Sequence, residues 1–336
     1  MQLFLDSYGA FLGLRDGQFW VKPRQGEGRA FAIREVNAIF LTKGVRLTTD
    51  ALILAIRENI PVLLIDAIGH PIGQVWSGQF GSIATIRKNQ ALFSTDSQGL
   101  RWISRLLQQK IDNQQQLLQT FLRSGEHDAP FAAEVERSIP IFRKMSDNLR
   151  DWQPLSARRS DDDAASFRGW EGTATRHYFR CLSLALPEKY RFAARSKRPA
   201  YDPFNALLNY LYGMLYAFVE LAQMKAGLDP YTGVLHADEY NRPTLVFDQI
   251  EIYRHWPERI AVQLLRDDRL PADAFRETEK EGVWLEKSGK GVVIDSFLAY
   301  LDEKIEYREQ VRRRATHIDL DALRLASRLK SFEPSK

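Results

Sequence analysis

Cysteine is almost absent from this sequence, which has only Cys181 among its 336 residues. One thiol cannot form an internal disulfide or build a cysteine-rich zinc site, so a cytoplasmic protein is expected. No apolar run reaches the about 18 residues of a membrane helix, and the start MQLFLDSYGAFLGL lacks the pattern of a signal peptide. The nucleotide-binding pattern GxxxxGK[ST] is missing as well. The sequence therefore predicts no membrane span, no secretion and no ATP-binding loop.

An excess of charge of either sign is also missing. The formal net charge is +4 and the pI is about 9.0, which permits nucleic-acid binding without requiring it. Hydrophobic residues make up 44% of the chain and charged residues 27%, an ordinary composition for a globular protein. The length suffices for one large domain or two medium ones with real cores.

Short strands dominate the first part of the chain. Alternating apolar residues and turn signals predict strands at QLFLD, AFLGLRDGQFWVK, RAFAIR, NAIFLTK, PVLLID and HPIGQVW. Asp16 and Gly17 predict a tight hairpin, because glycine accepts a positive φ. The stretch TTDALILAIREN predicts a helix capped by Thr48 or Thr49. Residues 1–85 are therefore expected to form a small, mostly-β domain.

Helical periodicity takes over near Ile83. Residues 86–336 are expected to form a larger all-α domain, which makes the predicted fold class α+β. Within it, residues 155–167 (LSARRSDDDAASF) show no apolar period and predict a loop, whose aspartates favour a solvated turn over a cation site. The C-terminal YREQVRRRATHIDLDALRLASRLKSF predicts a basic helix, a turn at residues 317–319 and a short amphipathic helix.

Three segments carry the residues that could do chemistry, and the first spans residues 167–187. Gly169 and Gly172 flank Glu171 just before an expected helix, where the helix dipole favours a carboxylate. Arg176 and Arg180 follow one turn apart on one face. A helix start with an acid and two surface arginines explains this segment as well as a site does.

The second segment spans residues 195–227. Asp202 and Pro203 are expected to open a long helix, with the proline in its first turn. Asn205, Asn209 and Tyr212 then form a polar row on an otherwise apolar helix, and buried amides need hydrogen-bond partners. The helix is either a core helix with a hydrogen-bonded seam or a helix that supports a site.

The third segment spans residues 233–254. Asn241 is a plausible cap for a helix that starts with Pro243 and runs TLVFDQIEIYRHW. Asp248 and Glu251 lie on one face of that helix, and His236 can fold back over it from a turn. One imidazole with carboxylate oxygens suits magnesium or manganese. A loop that leads into a packed helix with two solvated acids is the alternative.

In this order, the three segments resemble the CRISPR-associated adaptation integrase family, the metal-dependent enzymes that insert new spacers into CRISPR arrays. The family pattern has G-x-E-G before Tyr-Phe, then D-P-x-N-A-x-L-N-Y, then G-L-D-P, a glycine and L-H, and finally an apolar helix with paired acids and an arginine. A β domain followed by a helical domain extends the likeness to nearly the whole chain. The matching positions are Gly169, Glu171, Gly172, Asp202, Pro203, Asn205, Asn209, Tyr210, Gly227, Asp229, Pro230, Gly233, His236, Asp248, Glu251 and Arg254.

The resemblance implies a metal site in the helical domain. The family's ligands are a glutamate, a histidine and an acid, which correspond here to Glu171, His236 and Glu251, with magnesium or manganese as the cofactor. Asp248 matches the first acid of the pair, which the family needs for catalysis and which acts on the metal directly or through a ligand. Some members carry aspartate where this chain has Glu251, so either Glu251 or Asp248 contacts the metal.

The resemblance also implies a reaction and partners. The 3′-hydroxyl of a captured DNA fragment attacks a phosphodiester at the edge of a repeat, and the same site can cut branched DNA. The β domain serves dimerisation and DNA contact, and two homodimers flank a small ferredoxin-like partner protein in a four-plus-two complex. Six basic residues near the motifs are candidates for phosphate contacts, although each is as easily structural: Arg176, Arg180, Arg195, Lys197, Arg198 and Arg254.

Two other functions are compatible with these residues. A stand-alone metal-dependent nuclease, or a transposon integrase acting on branched DNA, would carry the same site outside CRISPR. An architectural DNA-binding subunit with a dead metal site is a third possibility, against which the intact set of Glu171, His236, Asp248 and Glu251 argues.

Overall fold

The protein is described here by a computed structural model, which covers residues 1–66, 71–75, 83–125, 128–236, 242–278 and 282–335. It divides into two units, Met1–Gly81 and Ser82–Lys336. A β-rich first unit precedes a mostly helical second unit, so the predicted fold class is confirmed. The sequence predicts the boundary between these two parts after residue 85.

Two four-stranded sheets build the first unit. In one the order is β1-β5-β7-β8, with β1, β5 and β7 parallel, and in the other it is β4-β3-β2-β6, with β2, β3 and β4 antiparallel. The elements are β1 (Gln2–Leu5), β2 (Phe11–Arg15), β3 (Gln18–Lys22), β4 (Arg29–Phe31), β5 (Ala38–Leu41), β6 (Arg46–Leu47), α1 (Thr49–Arg57), β7 (Val62–Ile65) and β8 (Pro71–Val75).

Local sequence explains these elements. The hairpin predicted between β2 and β3 is confirmed, because Asp16 and Gly17 both take a positive φ, of 50° and 72°. Thr48 caps α1 by accepting the N–H of Ala51 at 3.3 Å. Every residue of β5 is buried, as expected for a parallel strand between two neighbours. The strands and α1 bury one common apolar cluster.

Long helices build the second unit around α6, which is buried on most of its sides. The elements are α2 (Ile83–Ser94), α3 (Ser97–Arg123), α4 (Ala129–Asp151), α5 (Asp161–Leu184), α6 (Pro203–Lys225), α7 (Thr244–Gln249), α8 (His255–Arg266), β9 (Phe275–Thr278), β10 (Gly282–Leu285), α9 (Lys287–Asp302), β11 (Lys304–Tyr307), β12 (Gln310–Arg313) and α10 (Arg314–Lys330). Within the described ranges, none of the helices combines the length and the apolarity that crossing a bilayer requires.

The start of α5 corrects the prediction of a loop at residues 155–167. The helix begins at Asp161, where Ser160 is the N-cap and three aspartates occupy the first turn. Their charges suit the positive end of the helix dipole, which is why an acidic run without apolar period is helical here. Gly169 and Gly172 do not interrupt the helix. Glu171 therefore lies in the middle of α5 and not at a helix start.

The C-terminal region corrects a second prediction. The expected basic helix is the hairpin of β11 and β12, closed by Arg308 and Glu309 with positive φ values of 50° and 64°. The turn expected at residues 317–319 lies inside α10. With the hairpin of β9 and β10, the second unit is thus mostly helical but not all-α. Over stretches of only four residues the apolar pattern does not distinguish a strand from a helix, and pairing between strands decides the outcome.

Candidate metal and DNA site

Two glutamates from distant parts of the chain converge on one buried lysine. Lys110 projects from the middle of α3, and only 4% of its side chain is exposed. Its Nζ contacts Glu171 Oε1 from α5 and lies 2.6 Å from Glu251 Oε2, which belongs to a 3₁₀ turn at Ile250–Tyr253 between α7 and α8. The structure thus brings Glu171 and Glu251 together, as the sequence predicted, around a positive charge that it did not predict.

The cations hold the two glutamates in their charged forms, and the glutamates do the same for Lys110. Burial acts to raise the pKa of Glu251, but the charges of Arg254 and Lys110 outweigh it, so this pKa is lowered. The pKa of Glu171 is lowered too, because Lys110 outweighs the effect of burial. Burial would lower the pKa of Lys110, yet the two glutamates raise it. Buried charges in this arrangement are stable because each one has an opposite charge in contact.

Hydrogen bonds fix both glutamates in place. Arg254 Nε donates to Glu251 Oε1 at 2.8 Å, and the Thr175 hydroxyl donates to Glu171 Oε1 at 2.7 Å. The 3₁₀ turn itself is anchored to α3, because Asn113 Nδ2 donates to the carbonyl of Ile252 at 2.9 Å. The 3₁₀ turn allows Glu251 to point at Lys110 while Ile252 is buried in the core.

Asp248 holds the loop that carries His236. This carboxylate is fully buried and accepts the backbone N–H groups of Val234 and Leu235 at 2.5 and 3.1 Å. Its Oδ1 lies 2.7 Å from His236 Nδ1. His236 therefore folds back over the acid face, as predicted. An Nδ1–H donated to Asp248 leaves the Nε2 lone pair for a ligand, which is the usual arrangement of a metal-binding histidine.

The loop geometry also requires a glycine. A Cβ on Gly233 would lie 2.8 Å from Thr244, whose hydroxyl accepts the Gly233 N–H at 2.9 Å. The same loop is also bound to α5, because Arg168 donates a hydrogen bond to the carbonyl of Leu235 at 3.3 Å. The expected cap Asn241 lies outside the described residues, and Pro243 stands at the N-cap of α7.

The donor set fits a hard divalent cation, although Glu171, Glu251 and His236 do not surround one common position in the structure. Glutamate oxygens and an imidazole are ligands that magnesium and manganese accept. The buried Glu251 Oε2 makes no aligned hydrogen bond, and a cationic group already lies between it and Glu171. Across the part of the chain that the structure covers, no three acidic, histidine or cysteine side chains stand together as metal ligands. Lys110 would therefore have to give way to a metal.

Most of the chain matches one known protein family. The profile described as CRISPR associated protein Cas1 matches residues 3–298. This chain belongs to the Cas1 family. A CRISPR-associated endonuclease Cas1 from Archaeoglobus fulgidus is 29% identical over 318 residues, 92% of this chain and 90% of that protein. A Cas1 from Thermus thermophilus is 40% identical over 126 residues, 37% of this chain and 38% of that protein.

Solved structures share the Cas1 fold of this chain. A casposase bound to its integration product superposes with a TM-score of 0.80 at 20% identity, over 99% of this chain and 92% of that one. A Cas1 protein from Thermotoga maritima gives a TM-score of 0.75 at 17% identity over the full length of both chains. At such identities the likeness establishes the fold alone. The family resemblance read from the motifs is confirmed by the profile match.

Two of the six basic residues proposed for DNA contact in this Cas1 chain have internal roles. Arg254 is 16% exposed and pairs with Glu251. Arg195 donates to Asn205 Oδ1 at 2.7 Å and to Asn209 Oδ1 at 2.5 Å, which supplies the partners expected for these amides. Both arginines are thus engaged in contacts within the protein.

The other four basic residues are exposed. Arg180 pairs with Glu134 at 3.1 Å, while Arg176 and Arg198 make no ion pair among the described residues. The pKa of Lys197 is lowered, first by partial burial and then by the positive charges of Arg254 and Arg195. Arg176, Lys197 and Arg198 therefore remain candidates for DNA contact.

Sequence reasoning missed two residues of this Cas1 site. Lys110 lies on the buried face of α3, in line with Leu107 and Gln114, and a lysine within an apolar row is the signal that could have revealed it. Glu258, fully buried one turn after Arg254, accepts from Tyr178 and Tyr212 at 2.7 and 2.5 Å. No pattern marks Glu258, because its partners come from two other helices.

Proposed function

We propose that this Cas1-family chain is a metal-dependent DNA integrase and endonuclease of CRISPR adaptation. The observation that carries the proposal is the convergence of Glu171 and Glu251 on one cation position. Asp248 of the same segment as Glu251 also orients the ring of His236. The names of the relatives support it, since they are called CRISPR-associated endonucleases. The ligands we propose are Glu171, His236 and Glu251, with Asp248 as the residue that positions His236.

The reaction exchanges one phosphodiester for another. A 3′-hydroxyl oxygen forms a new bond to phosphorus, the bond to the leaving strand breaks, and that strand's oxygen receives a proton. Bound magnesium or manganese would lower the pKa of the attacking hydroxyl and stabilise the negative charge on the phosphate oxygens. Because bonds of similar energy are made and broken, no ATP is needed. With water in place of the hydroxyl, the same site cleaves DNA.

The residues of the chain prepare the site for this reaction. Arg254 keeps Glu251 ionised, and Asp248 turns His236 so that Nε2 faces away from it. Asp248 is saturated by backbone N–H groups, which favours Glu251 over Asp248 as the ligand. Arg176, Lys197 and Arg198 would contact phosphates of the DNA.

Strand joining tests the proposal directly. A labelled fragment and a supercoiled plasmid with a repeat are incubated with wild type, Glu171→Gln or the control Glu136→Gln, an exposed acid on α4. We expect Glu171→Gln to lower joining and cleavage at least 100-fold, to weaken Mn²⁺ binding measured by electron paramagnetic resonance, and to leave DNA affinity within a few-fold. Joining by Glu171→Gln at the wild-type rate would refute the ligand assignment.

The same assay separates the alternatives. Wild type that cuts branched DNA but never joins a fragment to the repeat would be a stand-alone nuclease. Binding without either reaction, in magnesium and in manganese, would indicate an architectural subunit. Excess chelator, or calcium in place of magnesium, should stop both reactions.

The partners are part of the proposal. We propose that the unit Met1–Gly81 serves dimerisation and DNA contact, and that two homodimers assemble with a small ferredoxin-like protein. One solved structure of the same fold is a Cas6-RT-Cas1–Cas2 complex, which supports a Cas partner. Native mass spectrometry of the mixture should show four copies of this chain with two of the partner, and a monomer alone would contradict the assembly.

A further inference from the structure

A basic pocket lies on a second side of the 3₁₀ turn that carries Glu251. The pocket has a volume of about 220 Å³. Its wall contains Ile252 of that turn, and Tyr253 donates its hydroxyl to Asp321 at the pocket at 2.6 Å. The residues that give the pocket its chemistry are Trp102 and Arg105 of α3, Arg308 of the turn after β11, and Asp321, Arg324 and Arg328 of α10.

The positive charge of this pocket is not balanced. Four arginines and one aspartate leave a formal charge of 4 − 1 = +3. Asp321 is already engaged, because Arg324 pairs with its Oδ1 at 2.9 Å and Arg308 lies 3.7 Å from the same oxygen. In the part of the chain that is described, Arg105 and Arg328 make no ion pair with a carboxylate. Two guanidinium groups are thus left to face the pocket.

These two arginines are close enough to oppose each other. The pKa of Arg328 is lowered by burial and then by the charge of Arg105, and only Asp96 acts in the other direction. Asp96 is itself occupied, because it accepts the backbone N–H of Gln98 at 2.8 Å and that of Ser335 at 2.7 Å. A ligand with negative charge would relieve the repulsion between the two guanidinium groups.

An aromatic ring lies beside the arginines. Trp102 is half-buried in the pocket wall, and Phe93 holds it edge-on at 6.2 Å between ring centroids. The guanidinium of Arg328 lies over the same Phe93 ring at 5.0 Å, so both groups are fixed by one support. Proteins commonly bind single-stranded nucleic acid in this way: arginines contact a phosphate, and a neighbouring aromatic ring stacks on a base.

We propose that this pocket binds single-stranded DNA, with a phosphate between Arg105 and Arg328 and the neighbouring base stacked on Trp102. The proposal rests on the proposed DNA function and extends it to a second binding site. Because Ile252 and Glu251 are consecutive residues of one turn, a strand bound in the pocket lies next to the element that carries the proposed metal ligand. The pocket would position a single strand near the reacting phosphate.

Fluorescence anisotropy with a labelled oligothymidylate of about ten nucleotides, within the site sizes of such proteins, tests the pocket. The variant is Arg105→Ala/Arg328→Ala, and the matched control is Arg123→Ala/Arg143→Ala, two exposed arginines on α3 and α4 outside the pocket. We expect the pocket variant to bind at least tenfold more weakly. Its log affinity against log salt should lose about 1.4 in slope, since each single-strand contact contributes roughly 0.7.

Further variants separate charge from stacking. Trp102→Leu should weaken binding at least about fivefold without changing the salt slope, because stacking carries no charge. The pair Arg105→Lys/Arg328→Lys keeps the charges and should keep the slope, which shows that a loss in the alanine variant is not misfolding. Oligothymidylate affinity equal to that of the control pair would overturn the proposal.

The alternative ligand of this pocket is a small free anion such as inorganic phosphate, in place of a phosphate of a DNA strand. Thermal unfolding is therefore followed with inorganic phosphate and with thymidine monophosphate. Stabilisation by these small anions that needs Arg105 and Arg328, together with unchanged oligothymidylate binding, would overturn the DNA proposal. Strand joining by wild type is measured on the same preparations. Failure of joining in wild type contradicts the proposed function, whereas the pocket is judged on binding alone.

Discussion

Replacement of Lys110 by methionine tests whether its ammonium is an internal substitute for the metal. Methionine keeps most of the side-chain volume but leaves Glu171 and Glu251 facing each other in the buried site. Loss of one partner of a buried ion pair costs about 3–5 kcal/mol. The lower end applies here, because Arg254 still compensates Glu251 and 26% of the Glu171 side chain is exposed.

The metal should reverse this loss of stability. A divalent cation and an ammonium about 4 Å apart repel each other by roughly 8 kcal/mol at an effective dielectric constant of 20. We expect Lys110 to swing away when wild type binds the metal, so that only part of this repulsion remains. If about one fifth of the repulsion between the metal and the ammonium remains, it weakens metal binding about tenfold. We therefore expect Lys110→Met to bind Mn²⁺ at least tenfold more tightly than wild type does.

Thermal unfolding and Mn²⁺ titration measure the two effects. Without metal, a loss of about 3 kcal/mol in a domain of this size lowers the Tm by roughly 6–12 °C. Manganese at about 100 times its Kd should restore about 2.7 kcal/mol. Lys144→Met, an exposed lysine on α4, is the control and should change neither quantity. A metal-free variant as stable as wild type, or a weaker affinity for Mn²⁺, would refute the reasoning.

Two further predictions follow from buried groups. Burial raises the pKa of Glu258 to about 7 from 4.5, so its contribution to stability is full below pH 4.5 and is lost as the pH rises to 7, in total about 3 kcal/mol. Glu258→Gln should therefore reduce the fall in unfolding free energy between pH 4.5 and pH 7. Part of the fall should remain, because burial also raises the pKa of Glu220 to about 7. A fall as large as that of wild type would contradict the assignment to Glu258. Burial raises the pKa of Cys181 to about 11, so maleimide at pH 7.5 should label it only after denaturation, and rapid labelling of the native protein would show that this helix opens.

Local patterns were sufficient where one element decides its own structure. The hairpin at Asp16 and Gly17, the Thr48 cap and the start of α6 after Asp202 all depend on a few neighbouring residues. Local patterns misled where other forces act. The acidic run before Glu171 predicts a solvated turn but begins a helix, because apolar periodicity does not register the favourable helix dipole.

For the site too, some features follow from the sequence and others only from the structure. The resemblance carried by its motifs predicts that Glu171, His236, Asp248 and Glu251 form one site. The structure adds that Asp248 holds the His236 loop, and that two of six proposed DNA-binding residues, Arg195 and Arg254, are internal supports. A basic residue carries the same charge in a sequence whether it faces a phosphate or a buried amide, so only its surroundings distinguish these roles.

The sequence by itself determined the family and the fold class, and it predicts the acids and the histidine of the proposed metal site. Motif identity and hydrophobic periodicity are properties of the chain and need no partner in space. Only the tertiary structure decided that Lys110 fills the position between Glu171 and Glu251, and that arginines of α3 and α10 form one pocket around Trp102. Both features join residues far apart in the chain, and the charge of each group acquires its meaning from the groups that packing brings beside it.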